Sequence, residues 1–567
     1  MLKKTAINHL LPIIFIISLS VLIISIGFLH YNDRVLLNGE KISFIDENGD
    51  KLHGTYYGGS INAGIIVLAG FGGSQTSMRG FSSEFGQQGF HVFTFDFSGH
   101  SQSPGGVYMD NAQTDRFARQ LLSGIELFKS ESGLTNDQII LLGHSMGGRV
   151  AMQSQTLNEN NISGIIFIGG QIDLKPNSMS QMFTGTNDSE IEWIQNLRPT
   201  NPEADILIIT GEYDDVLPPE SAEILIDKLG GITESPYIRD LHIIDRLTHT
   251  FEIFNVEVVS RALNFGIKIL GIETNPNYSA NTMQNRIILW IIGAISLFTS
   301  TILLILIIPR YIPKIQSNED EDENRERIDV RIIDSGLFIR RKLLYWLPSF
   351  VISIVIILLL AFIPIGYPIF GTPFAGIFGG LGIFMLVWYH EGRTAGTSGT
   401  MEFTVYLKNK TKKLVLRGNK RIILLLVFGM LYTLIITFFL NSGLFYVFPL
   451  NERLIWLIIT TPIATTGFFI IQKERNYIEN SSENSAKDIL LVMLIDYLPI
   501  VLLSIVALVG GPTTASGLIQ FIVIILLILT LGELFRKVTE NTILIGITQA
   551  FILQYISLAF GPIFYFF

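Results

Sequence analysis

The sequence predicts two unlike parts: an α/β domain, with a mostly parallel sheet flanked by helices and a small cap, and an all-α polytopic membrane domain. Together they hold about nine transmembrane helices. Three observations carry this. Apolar residues make up 49% of the 567 positions and charged residues only 16%, against about 25% charged in an ordinary soluble protein. The apolar character is unevenly spread, with long uncharged runs before residue 30 and beyond residue 286. Between these limits strand-like and helix-like segments alternate with turn residues, the pattern of a parallel sheet with crossover helices.

Each segment follows in order. Lys3 and Lys4 precede an uncharged apolar run of 20 residues, Leu10 to Leu29, enough to cross a bilayer as a helix. The run is long for a cleaved signal peptide, so residues 1–30 are read as an anchor, although Ser25-Ile26-Gly27 loosely fits a cleavage site. Residues 31–270 read as the α/β domain and 271–286 as a polar Asn/Pro linker. Residues 287–567 form a membrane domain of about eight helices, with apolar runs at 287–309, 344–366, 370–390, 422–440, 454–472, 489–510, 516–535 and 542–566. The glycines of the 370–390 run (Gly371, Gly376, Gly379, Gly380, Gly382) suit close helix contact in lipid. The acidic run 319–323 reads as a solvated loop.

Composition also excludes chemistry. The chain has no cysteine, so disulfides, thiolate metal sites and cysteine nucleophiles are out. A net charge of −9 offers no basic footprint for nucleic acid.

One motif is specific. The apolar run Ile139–Leu142 leads into Gly143-His144-Ser145-Met146-Gly147 and then a helical stretch. This is Gly-x-Ser-x-Gly in a strand–turn–helix setting, which projects a serine hydroxyl above a sheet. Small residues are required because a strained turn leaves no room two positions either side of the serine. Of nine histidines, His249 is the best base, in a loop after the strand-like run that holds His242. An orienting acid should follow another strand end. Ile206–Thr210 is such a strand, and Asp214 or Asp215 after it are candidates, with Glu212 a distant third. The order Ser145, Asp214, His249 matches Ser…Asp/Glu…His. One oxyanion donor should be the Met146 N–H.

On these residues, positions of about 35–270 resemble the α/β-hydrolase superfamily, especially its serine aminopeptidase, monoglyceride-lipase and esterase-like branch. The family's Gly-x-x-Asp-x-x-x-Pro motif falls on Gly211, Asp214 and Pro218, which favours Asp214. The segment Asp96 to Ser103 is similar to the family's Asp-x-x-Gly-x-Gly-x-Ser turn, with Ser101 in place of a glycine, and makes Asp96 a structural turn residue. The resemblance implies a second oxyanion donor in the loop Ala69-Gly70-Phe71-Gly72, with Phe71 first and Gly72 in reserve. Ala69 stands where the family's histidine would be. The cap is expected at about 171–204, where Met179, Met182, Phe183 and Trp193 are candidates for a substrate pocket.

The expectation is therefore a serine hydrolase of esters or amides, with the lipid bilayer and a small-molecule, lipid or peptide substrate as partners, and no cofactor, metal or nucleic acid. An acyltransferase using the same serine, or a membrane transport or sensor protein with a ligand-binding outer domain, are the alternatives. The sequence sets no oligomeric state. Within the spans, Asp496, Gln549 and Gln554 suggest a polar site or interhelical bonding, and Glu533 lies near enough to its helix end to reach the interface.

Charge bias sets the expected sidedness of this multi-pass protein of the cell membrane. The inner loops 310–343, 391–421, 473–488 and 536–541 carry 8, 8, 3 and 2 Lys/Arg, and the outer loops carry only Arg453. The N-terminus is then cytoplasmic, and the hydrolase-like domain and the C-terminus lie outside. The basic and apolar residues that alternate at about 408–421 fit a small hairpin against the headgroups, although the positive-inside bias alone explains their charge.

Overall fold

The computed structural model describes residues 2–36, 38–108, 113–156, 161–169, 192–273, 281–311, 335–390, 419–442, 446–481, 487–497, 512–539 and 541–565. Strands β1 (Glu40–Ile45), β2 (Lys51–Tyr57), β3 (Gly64–Leu68), β4 (His91–Asp96), β6 (Ile139–His144), β7 (Gly164–Ile168), β8 (Asp205–Gly211) and β9 (Arg239–Ile244) form one sheet. Its order is β1-β2-β4-β3-β6-β7-β8-β9. The β1–β2 and β2–β4 pairs are antiparallel, and every other pair is parallel. This order and sense are those of the α/β-hydrolase fold.

Continuous apolar strands are what a sheet covered on both faces demands, and β3 and β7 are buried at every position. Alternate residues serve opposite layers. Ile65 and Val67 pack with Phe81 and Phe85 of helix Arg79–Gln87 and Val258 and Ala262 of helix Val256–Ile269. Ile66 and Leu68 face the opposite layer, which holds Phe117 and Leu121 of helix Gln113–Ser132 and Val150 and Met152 of helix Met146–Thr156. Each fully buried Phe or Leu contributes about 1.5–3 kcal/mol relative to exposure.

Among the described residues, five helices are long and apolar enough to cross a membrane: Leu10–Asn32, Met283–Arg310, Leu344–Ala361, Arg421–Asn441 and Glu452–Asn476. Gly371–Leu386 and Thr542–Ser557 are shorter apolar helices. Of the other two expected spans, residues 487–497 are helical, 498–511 lie outside the described residues, and Pro512–Val538 is a helix of 27 residues. The 319–323 run and the 408–421 segment up to residue 418 also lie outside them.

Three expectations need correction. The last apolar run does not stay helical to 566: its helix ends at Ser557, and Ile563–Tyr565 is a strand. Gly561 turns the chain at φ +71°, and the following Pro562 disfavours helix in the residue before it. The linker is shorter than 271–286, because a helix begins at Asn281 and buries Met283 against Met78, Phe81 and Phe85. Glu533 does not turn outward: its carboxylate lies 2.9 Å from Arg475 Nη1 and 3.4 Å from Arg536 Nη1. Asp496 forms an ion pair between helices, with Lys342 Nζ 2.5 Å from its Oδ1, and Gln472 Nε2 donates to Gln549 Oε1 at 2.7 Å. The glycine run packs as expected. A Cβ on Gly376 would lie 2.3 Å from Ile357, and one on Gly382 2.3 Å from the Thr466 backbone.

The two parts meet over a shared surface. The N-terminal helix Leu2–Asn32 packs along Asn281–Ile307, and Asp33 just beyond it pairs with Arg286. A second, three-stranded sheet joins β5 (Val107–Tyr108), β10 (Tyr367–Pro368) and β11 (Ile563–Tyr565) in the order β10-β11-β5.

Candidate active site

Ser145 sits between β6 and helix Met146–Thr156 with φ +50°, a left-handed conformation that costs a non-glycine residue about 1–2 kcal/mol. The flanking glycines make the turn possible. A Cβ on Gly143 would lie 2.3 Å from the Gly147 and Gly148 backbone, and one on Gly147 2.7 Å from the Leu68 and Ala69 carbonyls. The Ser145 N–H donates to Ile168 O at 2.8 Å, tying the turn to the end of β7. Met146 is the first helical residue, so its N–H has no acceptor within the helix and points with the positive end of the dipole.

The residues expected after β8 and β9 come together. The Asp214 side chain is fully buried, and its Oδ2 lies 2.7 Å from His249 Nδ1. Its Oδ1 accepts from Val216 N at 3.0 Å and Leu217 N at 2.8 Å. Those bonds aim the carboxylate and leave His249 Nε2 as the free imidazole nitrogen. Glu212, by contrast, is exposed and accepts from Arg246 N. His249 opens a short turn, His249–Phe254, and its ring lies on Gly169, where a Cβ would sit 2.8 Å from His249 Cε1. Ser145 bonds Ile168 and His249 lies on Gly169, so the two are held by adjacent residues of one strand end.

The glycine-rich loop lies alongside. A Cβ on Gly70 would be 3.1 Å from Ser145 Cβ, and Gly73 N donates to Gly70 O at 2.9 Å. Phe71 between them is half-exposed. Asp96 behaves as a turn residue. It accepts from Gln75 N at 2.8 Å, Gln75 Nε2 at 2.9 Å and Gln102 N at 3.3 Å, and burial raises its pKa. Ser101, which replaces the family's glycine, keeps a left-handed backbone at φ +45°. His242 lies on β9 and is partly buried.

Sequence reasoning missed Glu252. Its side chain is fully buried, Oε1 accepts from Gly211 N at 2.7 Å, and Oε2 lies 3.7 Å from His249 Nδ1 and 3.6 Å from His144 Nε2. Burial, and after it the Asp214 carboxylate, hold its carboxyl well above the usual range, which favours the protonated form beside Asp214. Burial likewise holds His144 well below the usual imidazole range. The only sequence signal was the spacing His249-x-x-Glu252, which puts both on one turn. Ligand atoms of His144, His249 and Glu252 lie within 4.8 Å of one another, close enough for a cation, but Asp214 and the Gly211 N–H already engage two of the three. Met179, Met182 and Phe183 lie outside the described residues. Trp193 lies on the short helix Glu192–Gln195, and its side chain is likewise outside them.

The sequence profile of the serine aminopeptidase family S33 matches residues 59–202. No curated protein sequence matches the chain. Among solved structures, the chain is similar to the esterase Pf2001 of Pyrococcus furiosus, with 20% identity over 41% of this chain and 92% of that one and a TM-score of 0.32. It is also similar to the α/β hydrolase GrgF from Penicillium sp. sh18, with 16% identity over 42% and 100% of the two chains and a TM-score of 0.35. A third is a soluble variant of monoglyceride lipase from Saccharomyces cerevisiae in complex with a substrate analogue, with 17% identity over 41% and 94% and a TM-score of 0.32. By its sheet order the domain has the α/β-hydrolase fold, and its residues 59–202 are similar to the serine aminopeptidase family S33.

Proposed function

We propose that the chain is a membrane-anchored serine hydrolase that cleaves carboxylic esters or amides through an acyl-enzyme. The observation that carries this reading is the 2.7 Å His249–Asp214 contact beside a serine held in a strained turn. Ser145 Oγ attacks the carbonyl, and His249 Nε2 takes its proton and returns it to the leaving group. Asp214 holds the imidazole in the required tautomer. The Phe71 and Met146 N–H groups receive the developing oxyanion. Substrate then loses its leaving group, and water, activated by the same imidazole, releases the acid.

A fluorophosphonate probe tests this directly. It should label the purified wild type and leave Ser145→Ala dark, and equal labelling of both would end the proposal. Product analysis with and without added alcohol or amine acceptors separates hydrolysis from acyl transfer.

We place the hydrolase domain and the C-terminus outside the cytoplasm. The charge bias supports this, as does the contact of the outer loops with one domain: Asn441 O accepts from Arg79 and Pro368 pairs with β11 beside β5. Protease added to right-side-out vesicles should digest residues 38–273 and spare the 391–421 loop; protection of the domain would overturn the sidedness.

A further inference from the structure

We infer that the membrane domain is a working part of the hydrolytic site: Arg453 and the C-terminal strand β11 are positioning elements for the oxyanion loop. This rests on the hydrolase reading above. It assigns the membrane helices a task beyond anchorage.

Two routes lead from the membrane part to that loop. The first is direct. The Phe564 ring lies 5.6 Å from the Phe71 ring, centroid to centroid. A Cβ on Gly72 would lie 3.6 Å from both Gly561 Cα and Pro562 Cδ. The segment at 561–564 therefore backs the two residues that bear the proposed donor and its reserve. Gly72 itself is left-handed at φ +74°, and with no side chain of its own it leaves that face of the loop to be packed from outside.

The second route runs through a buried guanidinium. Arg453 is 1% exposed. Its Nη2 donates to Gly99 O and Gly561 O, both at 2.9 Å, its Nη1 to Ser101 O at 3.2 Å, and its Nε to Leu558 O at 3.1 Å. Ile563 N adds a bond to Gly99 O at 3.0 Å, and Asn451 Nδ2 one to Gln102 O at 3.3 Å. The turn at 99–102 that these groups grip is bonded onward, Gln102 N to Asp96 and Asp96 to Gln75. Gln75 lies three residues after Gly72 in the same chain segment. Four carbonyls from two distant segments converge on one cation, which fixes their relative positions more tightly than apolar packing would. Small displacements matter here, since a misplacement of about 1 Å can cost 10²-fold in rate.

The test uses full-length protein in nanodiscs, with a water-soluble short-chain p-nitrophenyl ester and the fluorophosphonate probe. Phe564→Ala and the milder Phe564→Leu are compared with Arg453→Lys, and Phe551→Ala, an outward aromatic on helix Thr542–Ser557, serves as control. We expect Phe564→Ala to lower kcat and the labelling rate about tenfold to hundredfold, below the 10²–10³ lost when a donor is deleted outright. KM should stay within about threefold, and Phe564→Leu should recover part of the loss. Arg453→Lys should fall in the same direction, and the control should match wild type. Unchanged kcat in folded Phe564 and Arg453 variants overturns the inference while leaving the hydrolase reading intact. A rise in KM alone also overturns it, because β11 would then touch substrate and not the loop. Failure of the wild type to label overturns both.

Discussion

Two clusters of buried charge-bearing groups in this chain are built by opposite means. Between the long apolar helices, cations and carboxylates interleave. Lys342 meets Glu474 and Asp496, Arg475 meets Asp496 at 3.7 Å and Glu533 at 2.9 Å, and Arg536 meets Glu533 at 3.4 Å and also Glu479. In the α/β domain, Asp214, Glu252, His144 and His249 crowd together, and the contacts described among them include no lysine or arginine. The first arrangement cancels charge and staples helices Ser335–Ala361, Glu452–Ser481 and Pro512–Val538 to the helical residues 487–497. The second leaves charge uncancelled, so protonation adjusts instead: Glu252 is pushed up and His144 down. Paired burial makes cohesion, whereas unpaired burial makes groups whose protonation responds to their neighbours, which is what acid–base chemistry uses.

That contrast can be broken most sharply at the serine. Ser145→Ala should cut turnover by about 10⁴- to 10⁶-fold with its melting temperature unchanged or slightly raised, as read by ester turnover and thermal unfolding. Asp214→Asn should cost about 10⁴ in kcat, and Asp215→Asn only a few-fold. The reverse order for the two aspartates would mean that the motif assignment is off by one residue.

The mirror-image result is expected in the membrane cluster. Lys342→Met strands two buried carboxylates, and breaking a buried pair costs about 3–5 kcal/mol. Its turnover per folded molecule should stay at the wild-type level. A variant of normal stability with impaired turnover would erase the distinction between the two clusters.

A smaller effect is expected where the two parts touch. His100 lies against Phe71 and Phe117, and burial, with Arg453 nearby, lowers its pKa from 6.5 to about 4. The unfolded chain therefore takes up a proton between these values while the folded chain does not. Stability is full above pH 6.5 and declines as pH falls towards 4, by at most about 3 kcal/mol. Unfolding of His100→Gln followed over this range should lack that decline; an unchanged pH slope would remove His100 as its source.

Glu252→Gln should have the least influence on turnover, within about threefold, because the amide keeps the acceptor for the Gly211 N–H and carries a donor for Asp214. Its stability separates it from wild type. A raised carboxyl pKa means that wild-type stability is greatest below the ordinary value of 4.5 and is lost as pH rises towards the folded value. The variant should gain stability relative to wild type as pH rises above 4.5. A gap that does not change with pH would show that the Glu252 carboxyl is not shifted upward in the fold.

Much of this was legible beforehand because its signals are local. A glycine two residues either side of Ser145 reports a turn that admits no side chain. Apolar runs of about 20 residues report spans, and the spacing Gly211, Asp214, Pro218 marks one strand end. Glu252 was not legible in that way. Its role depends on Gly211 from β8 and Gly169 from β7 arriving beside it, and nothing in the segment 247–255 encodes either approach.

Arg453 shows the same limit from the other side. As sequence it was one positive charge in an outer loop, useful only for counting sidedness. As structure it is a buried hub on the carbonyls of Gly99, Ser101, Leu558 and Gly561. The sequence by itself determined the division into an α/β domain and an apolar helical domain, together with the order of Ser145, Asp214 and His249, because periodicity and turn chemistry act over a few residues. Only the tertiary structure decided that residues 563–565 leave the helical pattern to pair with β5, that residues 561–564 lie against Phe71 and Gly72, and that Glu252 joins Asp214. Each of these is a meeting of segments remote in sequence, settled by which buried N–H, C=O and charged groups find partners once both domains are packed.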